Sequence, residues 1–166
     1  MTSEENSDKQ ILKTLKAIKN YNIQKLIVYP NNDAGSKKII KVLKNSNYKI
    51  VKTLNLREYK TLLSNASVLI GNSSSGIHEA ATFKIPVINI GTRQNGRLKP
   101  KNVINTGYNS KQIQNKISYV LNNKKFQKNL KNLKNPYGDG DSSKRIIKLL
   151  KTIKLDNKII QKQITY

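Results

Sequence analysis

The sequence predicts an α/β domain with a parallel sheet and helices on both faces. Short apolar runs, typical of buried strands, alternate along the chain with longer segments whose apolar residues recur at helical spacing. Polar, turn-forming residues follow directly on several of the apolar runs. This alternation specifies parallel strands joined by helical crossovers. A length of 166 residues is sufficient for one domain with a proper core.

The elements follow in a regular order. A first helix is predicted around Ile11, Leu12, Leu15 and Ile18, whose spacing is close to 3.6 residues. Strands are predicted at 26–29, 48–54, 68–70, 87–90 and 103–105. Helices are predicted at 35–45, 57–64, 77–83, 110–122, 124–133 and 142–153. The polar, lysine-rich segment 156–166 is expected to be a fraying tail, so the predicted domain is 1–155.

The net charge of +23 suggests a nucleic-acid partner, but the composition disfavours a specific one. The chain has 28 lysines against four arginines, no tryptophan and two phenylalanines, whereas base readout and stacking depend on arginine and aromatic residues. Lysine, asparagine and isoleucine make up 71 of the 166 residues, and their codons are rich in A and T. Genome composition therefore explains the charge more simply, and no specific nucleic acid is expected.

Other function classes are disfavoured in the same way. There is no cysteine, hence no disulfide or thiolate metal site, and no apolar run approaches the ~20 residues of a membrane span. The acidic start does not look like a signal peptide, so we expect a cytoplasmic protein without a membrane partner. The run 138–141 resembles a calcium loop but lacks the alternating ligands and the final acid. A turn capped by Asp141 or Ser142 is expected there, with no metal and no cofactor.

The most informative segment is the turn Gly71-Asn72-Ser73-Ser74-Ser75-Gly76 between an apolar strand and a helix. Small side chains, hydroxyls and a helix start suit a phosphate, and Glu79 is placed to accept hydrogen bonds from ribose hydroxyls. The same residues also suit a helix cap with Glu79 as a capping-box partner. Arg93 follows the neighbouring strand and adds positive charge at the same edge, which favours the ligand.

Asp33 also has two possible roles, a helix cap or a ligand contact. It precedes small residues at the start of a predicted helix, where a helix cap is favoured over a ligand contact. His78, the only histidine, invites a catalytic role, but a solvent-facing position on its helix is favoured because a lone residue is a weak indication.

Four segments in order give the chain a resemblance to a known family. They are YPNNDAGS at 29–36, the run 54–70, GNSSSGIHEA with IPVINIGTRQNGR at 71–97, and NPYGDG at 135–140. Together they resemble the C-terminal half of the UDP-N-acetylglucosamine 2-epimerases, specifically the hydrolysing branch of sialic acid and nonulosonate biosynthesis. The resemblance implies the second Rossmann-like domain of a GT-B fold, with the active site in the cleft between two domains.

The resemblance also implies which residues bind the ligand. The serines would bind the diphosphate of UDP, the glutamate would hold the ribose, and the asparagine and arginine would line the pocket. The implied UDP-binding residues are Asn31, Ser73, Ser74, Ser75, Gly76, Glu79 and Arg93. None of them is implied to be an acid or base of the reaction, so no catalytic residue is expected in this chain.

The resemblance extends to the chain's start, where residues 2–7 match an acidic turn that follows a His-Pro segment in the family. It implies that the N-terminal domain with the acid and base groups is absent, and that the chain is a fragment inactive alone. The implied reaction converts UDP-N-acetylglucosamine, or a diacetylbacillosamine analogue, to a free N-acetylmannosamine-type sugar and UDP. The implied partners are that UDP-sugar, a chain supplying the missing domain and, for the full-length protein, a second copy.

Two alternatives remain open at this point. The first is a non-catalytic UDP-sugar-binding module or a subunit of a split enzyme. The second is a fragment of a GT-B glycosyltransferase, which shares the serine loop and the ribose glutamate. The segments GTRQNGR and NPYGDG speak against this second alternative.

Overall fold

The computed structural model describes residues 5–154 and 156. The helices are α1 (Ser7–Ile18), α2 (Ser36–Lys44), α3 (Leu56–Asn65), α4 (Ser75–His78), α5 (Ser110–Asn122), α6 (Lys124–Lys131) and α7 (Ser142–Thr152). The strands are β1 (Leu26–Val28), β2 (Lys49–Val51), β3 (Leu69–Gly71), β4 (Val87–Ile90) and β5 (Val103–Thr106). The predicted alternation of strands and helices is confirmed.

All strand pairs are parallel, which confirms the predicted fold class. They form two sheets rather than one continuous sheet: β1 pairs with β2, and β4 lies between β3 and β5. The ion pair between Asp33 and Arg93, described below, links the turn after β1 to the loop after β4.

The strand β4 is the centre of the structure, and all four of its residues are buried. Ile88 and Ile90 pack into a core shared with α1, α2 and α5, whereas Val87 packs into a second core with Leu63 of α3. Because successive side chains of a strand point to opposite faces, these two cores lie on opposite sides of the sheet. Helices therefore cover both faces, as predicted.

Two elements are shorter than predicted by three residues or more. The helix predicted at 77–83 is the single turn α4, because Ala80 N–H bonds the carbonyl of Ser75 and widens the turn. Lys84 then adopts a positive φ of 57° and leads the chain into β4. The strand predicted at 48–54 covers only Lys49–Val51, because its partner β1 is equally short.

The chain divides into two compact units, with the division between Pro136 and Tyr137. In the second unit, Asp141 holds the N-cap position of α7, as predicted for Asp141 or Ser142. The carboxylate of Asp139 accepts a hydrogen bond from the Asp141 N–H at 3.0 Å and another from Arg145. These two bonds lower the pKa of Asp139, the backbone bond most.

Residues 1–4, 155 and 157–166 lie outside the described part, and with them half of the segment matched at 2–7 and most of the predicted tail. The boundary at residue 155 therefore stays a prediction. Within the described residues, no helix is both long and apolar enough to cross a membrane. The same part of the chain contains no group of three or more His, Asp or Glu side chains placed to hold a metal ion.

Candidate functional site

Three loops that follow β1, β3 and β4 are joined by the side chain of Arg93. Its Nη2 atom donates to Asp33 Oδ2 at 3.0 Å, and its Nη1 atom donates to the backbone carbonyl of Asn72 at 3.1 Å. The side chains of Arg93 and Asp33 are 26% and 33% exposed. The prediction that Arg93 and the serine loop share one edge of the sheet is therefore confirmed. The ligands of open parallel sheets bind at this edge.

Asp33 differs from its sequence-based interpretation as a helix cap. Gly35, with a positive φ of 82°, occupies the N-cap position of α2, and the carboxylate of Asp33 pairs with Arg93 instead. The change follows from tertiary structure, because Arg93 is 60 residues away in sequence. Asn31 is exposed in the same turn, two residues before Asp33. Asn31 is therefore close in sequence to Asp33, the partner of Arg93. Its contact with a ligand stays a prediction.

The three serines of the loop have different environments. Ser73 is exposed, Ser74 is half-buried and Ser75 is buried. The hydroxyl of Ser73 accepts a hydrogen bond from the Ser75 N–H at 3.3 Å. Ser74 holds the N-cap position of α4 but makes no side-chain cap bond, and Glu79 lies at the other end of the helix. The capping-box alternative is therefore wrong, and a helix of one turn contributes little dipole.

Gly76 packs directly against the sheet. A Cβ atom at this position would lie 2.8 Å from Val87 Cγ1, closer than real Cβ contacts allow. The absence of a side chain lets the start of α4 lie against β4, which keeps the serine loop at the sheet edge. Its expected place in the UDP site is thus accompanied by a packing role that the sequence did not reveal.

Tyr59 of α3 contacts the serine loop from the face of the sheet that α3 covers, opposite to the face covered by α1, α2 and α5. The sequence analysis did not identify this residue. Its hydroxyl hydrogen-bonds the hydroxyl of Ser75, so the buried Ser75 side chain is engaged within the protein. Burial is the main cause that raises the pKa of Tyr59; the Ser75 hydrogen bond lowers it by less, and the negative charge of Glu79 adds the smallest effect, an increase. The only indication in the sequence was its place in the EYxxLL run of the segment 54–70.

Glu79 and His78, which follow the serine loop, make both local and long-range hydrogen bonds. Glu79 is exposed, and its N–H donates to the Ser75 carbonyl at 3.0 Å. His78 is half-buried, with Nε2 3.2 Å from Arg97 Nη1. The side-chain amide of Asn135 donates to the His78 carbonyl at 2.8 Å, which ties Asn135 to this loop. His78 is therefore more covered than a solvent-facing position would be.

The fold and the site define a parallel α/β domain with serines and an arginine at the carboxyl edge of its strands, the edge at which open parallel sheets bind their ligands. A family profile described as UDP-N-acetylglucosamine 2-epimerase matches residues 1–151 of this chain. The chain therefore belongs to the UDP-N-acetylglucosamine 2-epimerase family, as the resemblance predicted.

Two relatives illustrate the match. The UDP-N,N'-diacetylbacillosamine 2-epimerase (hydrolyzing) of Legionella pneumophila is 38% identical over 145 residues, which cover 85% of this chain and 37% of the relative. The GDP/UDP-N,N'-diacetylbacillosamine 2-epimerase (hydrolyzing) of Campylobacter jejuni is 38% identical over 155 residues, which cover 89% of this chain and 39% of the relative. The chain thus spans about two fifths of the length of these proteins.

Solved structures agree on the fold. The crystal structure of the Neisseria meningitidis UDP-GlcNAc 2-epimerase bound to UDP-GlcNAc superposes with a TM-score of 0.73 at 21% identity and covers 90% of this chain and 42% of that one. The Methanocaldococcus jannaschii enzyme in complex with UDP-GlcNAc and UDP gives a TM-score of 0.70 at 22% identity, with the same coverage. These structures confirm the Rossmann-like, GT-B-type domain.

Proposed function

We propose that this chain binds the UDP part of a UDP-sugar and belongs to a hydrolysing UDP-N-acetylglucosamine 2-epimerase. The observation that carries the proposal is the position of Arg93, which joins the turn after β1 to the serine loop after β3. A guanidinium beside the serine loop suits an oxygen-rich dianion, because charge-assisted hydrogen bonds are about twice as strong as neutral ones.

The diphosphate would lie against Ser73, Ser74 and Arg93. The ion pair between Arg93 and Asp33 is partly exposed on both sides, and such pairs contribute only about 0–1 kcal/mol. A diphosphate can therefore compete with Asp33 for the guanidinium at small cost. Ser75 and Gly76 would keep the loop in position, Ser75 through its hydrogen bond with Tyr59 and Gly76 through its close packing against Val87.

The nucleoside would extend toward Glu79 and Asn31. Both side chains are exposed, and Glu79 follows Ser75 by one turn of backbone. A carboxylate accepts two hydrogen bonds at once, which suits the adjacent hydroxyls of a ribose.

The hydrolysing branch is supported by the names of the Legionella and Campylobacter relatives, each 38% identical to this chain. In the proposed reaction a base removes the proton at C2 of the sugar, UDP leaves, and water adds to the resulting glycal with inversion at C2. Ser73, Ser74 and Arg93 would stabilise the charge that develops on the departing UDP, and one such donor is commonly worth about 3 kcal/mol. The acid and base groups would come from a domain outside this chain.

Isothermal titration calorimetry of the 166-residue chain with UDP tests the binding step. We expect weak binding, because a partner domain would normally close over the site and exclude water. Ser73→Ala and Ser74→Ala should weaken it further, whereas Ser64→Ala, an exposed serine near the end of α3, should not. Absence of UDP binding, or equal losses in all three variants, would contradict the proposal.

A second candidate is a non-catalytic binding module or one subunit of a split enzyme. Both candidates share the UDP-binding step, and the chain spans 37% and 39% of the length of the two hydrolysing relatives. Incubation with UDP-N-acetylglucosamine separates the candidates: we expect no free sugar from this chain alone. Release of free sugar only after addition of a separately produced N-terminal domain of a relative would favour a split enzyme. Release of free sugar by the chain alone would contradict an inactive fragment.

A further inference from the structure

The backbone carbonyl of Asn72, at the start of the serine loop, accepts two side-chain hydrogen bonds. Gln94 Nε2 donates to it at 2.8 Å and Arg93 Nη1 at 3.1 Å. A carbonyl oxygen has two lone pairs, so both are used. Asn72 itself is only 6% exposed. The orientation of the peptide group between Asn72 and Ser73 is therefore fixed from within the protein.

Gln94 is unusual for a buried residue. It is 1% exposed, and its Oε1 atom has no hydrogen-bond partner among the described residues. A buried acceptor without a partner is unfavourable, and a methionine would fill a similar volume without one. Within the described part of the chain, the side-chain amide of Gln94 thus makes one hydrogen bond, to the Asn72 carbonyl.

We propose that Gln94 is a positioning residue that orients the Ser73 N–H toward the diphosphate. The carbonyl of Asn72 and the N–H of Ser73 belong to one peptide group, and the chain contains no cis peptide bond among its described residues. In a trans peptide these two groups point in opposite directions. Holding the carbonyl against Gln94 therefore directs the N–H of the exposed Ser73 away from Gln94, and also away from the position that Arg93 occupies without a bound anion.

Gln94 suits this role better than Arg93. Arg93 also pairs with Asp33 and is partly exposed, so a bound anion can draw its guanidinium away from the carbonyl. Gln94 is neutral and buried, and it keeps its bond whether or not an anion is bound. The N–H is thus oriented before binding, which removes an ordering cost from the binding step. The inference rests on the proposed function, since it assigns a part of the same UDP site.

The test compares UDP affinity in Gln94→Met with that in Asn102→Leu. Asn102 is a matched control: it is 0% exposed, its Nδ2 atom donates to the Ile85 carbonyl at 2.6 Å, and its Oδ1 atom is likewise without a partner within the described residues. Asn102 lies directly before β5, at the amino-terminal edge of the sheet, whereas the serine loop lies at the carboxyl-terminal edge. We expect Gln94→Met to bind UDP about tenfold more weakly and Asn102→Leu to bind like wild type. Wild-type affinity in a folded Gln94→Met variant would overturn the inference.

Gln94→Glu adds a pH profile to the test. A deprotonated carboxylate cannot donate to the Asn72 carbonyl, whereas the protonated acid can. The affinity of this variant relative to wild type should therefore recover as the pH is lowered through the pKa of the new carboxyl group. A ratio independent of pH would contradict the hydrogen bond as the cause.

If wild type binds no UDP, the proposed function fails and the inference is decided on the ligand-free chain. The heteronuclear NOE of the Ser73 amide then measures the order of the loop. An ordered amide in wild type that becomes mobile in Gln94→Met would support the positioning role. Equal order in both would overturn it.

Discussion

Replacing Gly76 with alanine tests how the serine loop is held against the sheet. The backbone of Gly76 is not in the left-handed region, so alanine can adopt its conformation. The expected cost arises from one contact, between the new Cβ and Val87 Cγ1 at 2.8 Å. Val87 is buried in the central strand and β-branched, so its side chain has few alternative rotamers.

The magnitude follows from that distance. Ordinary contact at 3.4 Å requires α4 to move away from β4 by about 0.6 Å, or Val87 to leave its preferred position. Overpacking of this kind typically costs about 1–3 kcal/mol. For a chain of this length each kcal/mol lowers the melting temperature by about 2–4 °C. We therefore expect Gly76→Ala to lower the free energy of unfolding by about 1–3 kcal/mol and to weaken UDP binding through the displaced loop.

Urea unfolding followed by circular dichroism measures this change, and two variants control for it. Gly107→Ala is the matched glycine: its new Cβ would meet only Gln112 Oε1, at an ordinary 3.4 Å, so stability should be unchanged or higher by about 0.4–1 kcal/mol. In Gly76→Ala/Val87→Ala the clash is absent, so the double variant should lose less than the sum of the single variants. A Gly76→Ala variant as stable as wild type, or strictly additive losses, would refute the reasoning.

Three further predictions concern other contacts. Asn55→Ala removes the capping box of α3 and should lower the free energy of unfolding by about 1 kcal/mol in a urea titration, whereas no change would show that the cap is not formed in solution. Glu79→Ala should weaken UDP binding far more than His78→Ala in calorimetry, and equal losses would argue against the ribose contact. The raised pKa of Tyr59 keeps its proton bound more tightly in the folded state, so stability falls as the pH rises above about 10, and Tyr59→Phe should reduce that fall. Identical stability profiles for wild type and Tyr59→Phe at high pH would contradict the raised pKa.

Much of the fold was predictable because its determinants are local. Apolar runs of strand length and helical spacing identified the order of the elements, and the parallel topology followed from their alternation. The position of Arg93 and the serine loop at one edge followed from the topology alone, since both come directly after parallel strands.

The contacts that shape the site were not predictable, because they join residues far apart in sequence. Arg93 pairs with Asp33 across 60 positions, and Gln94 bonds the Asn72 carbonyl across 22. No periodicity or turn preference specifies such pairs. The shortness of α4 has the same origin: Ala80 and Ile85 are buried in one core cluster, and a regular helix is replaced by a widened turn there.

The most direct test of UDP binding at this edge is a titration of the ¹⁵N-labelled chain with UDP, followed by the amide resonances. The account predicts that the largest shifts occur at Ser73, Ser74, Glu79 and Arg93, at the carboxyl ends of β3 and β4. Shifts confined to other surfaces, or an unchanged spectrum at saturating UDP, would contradict it.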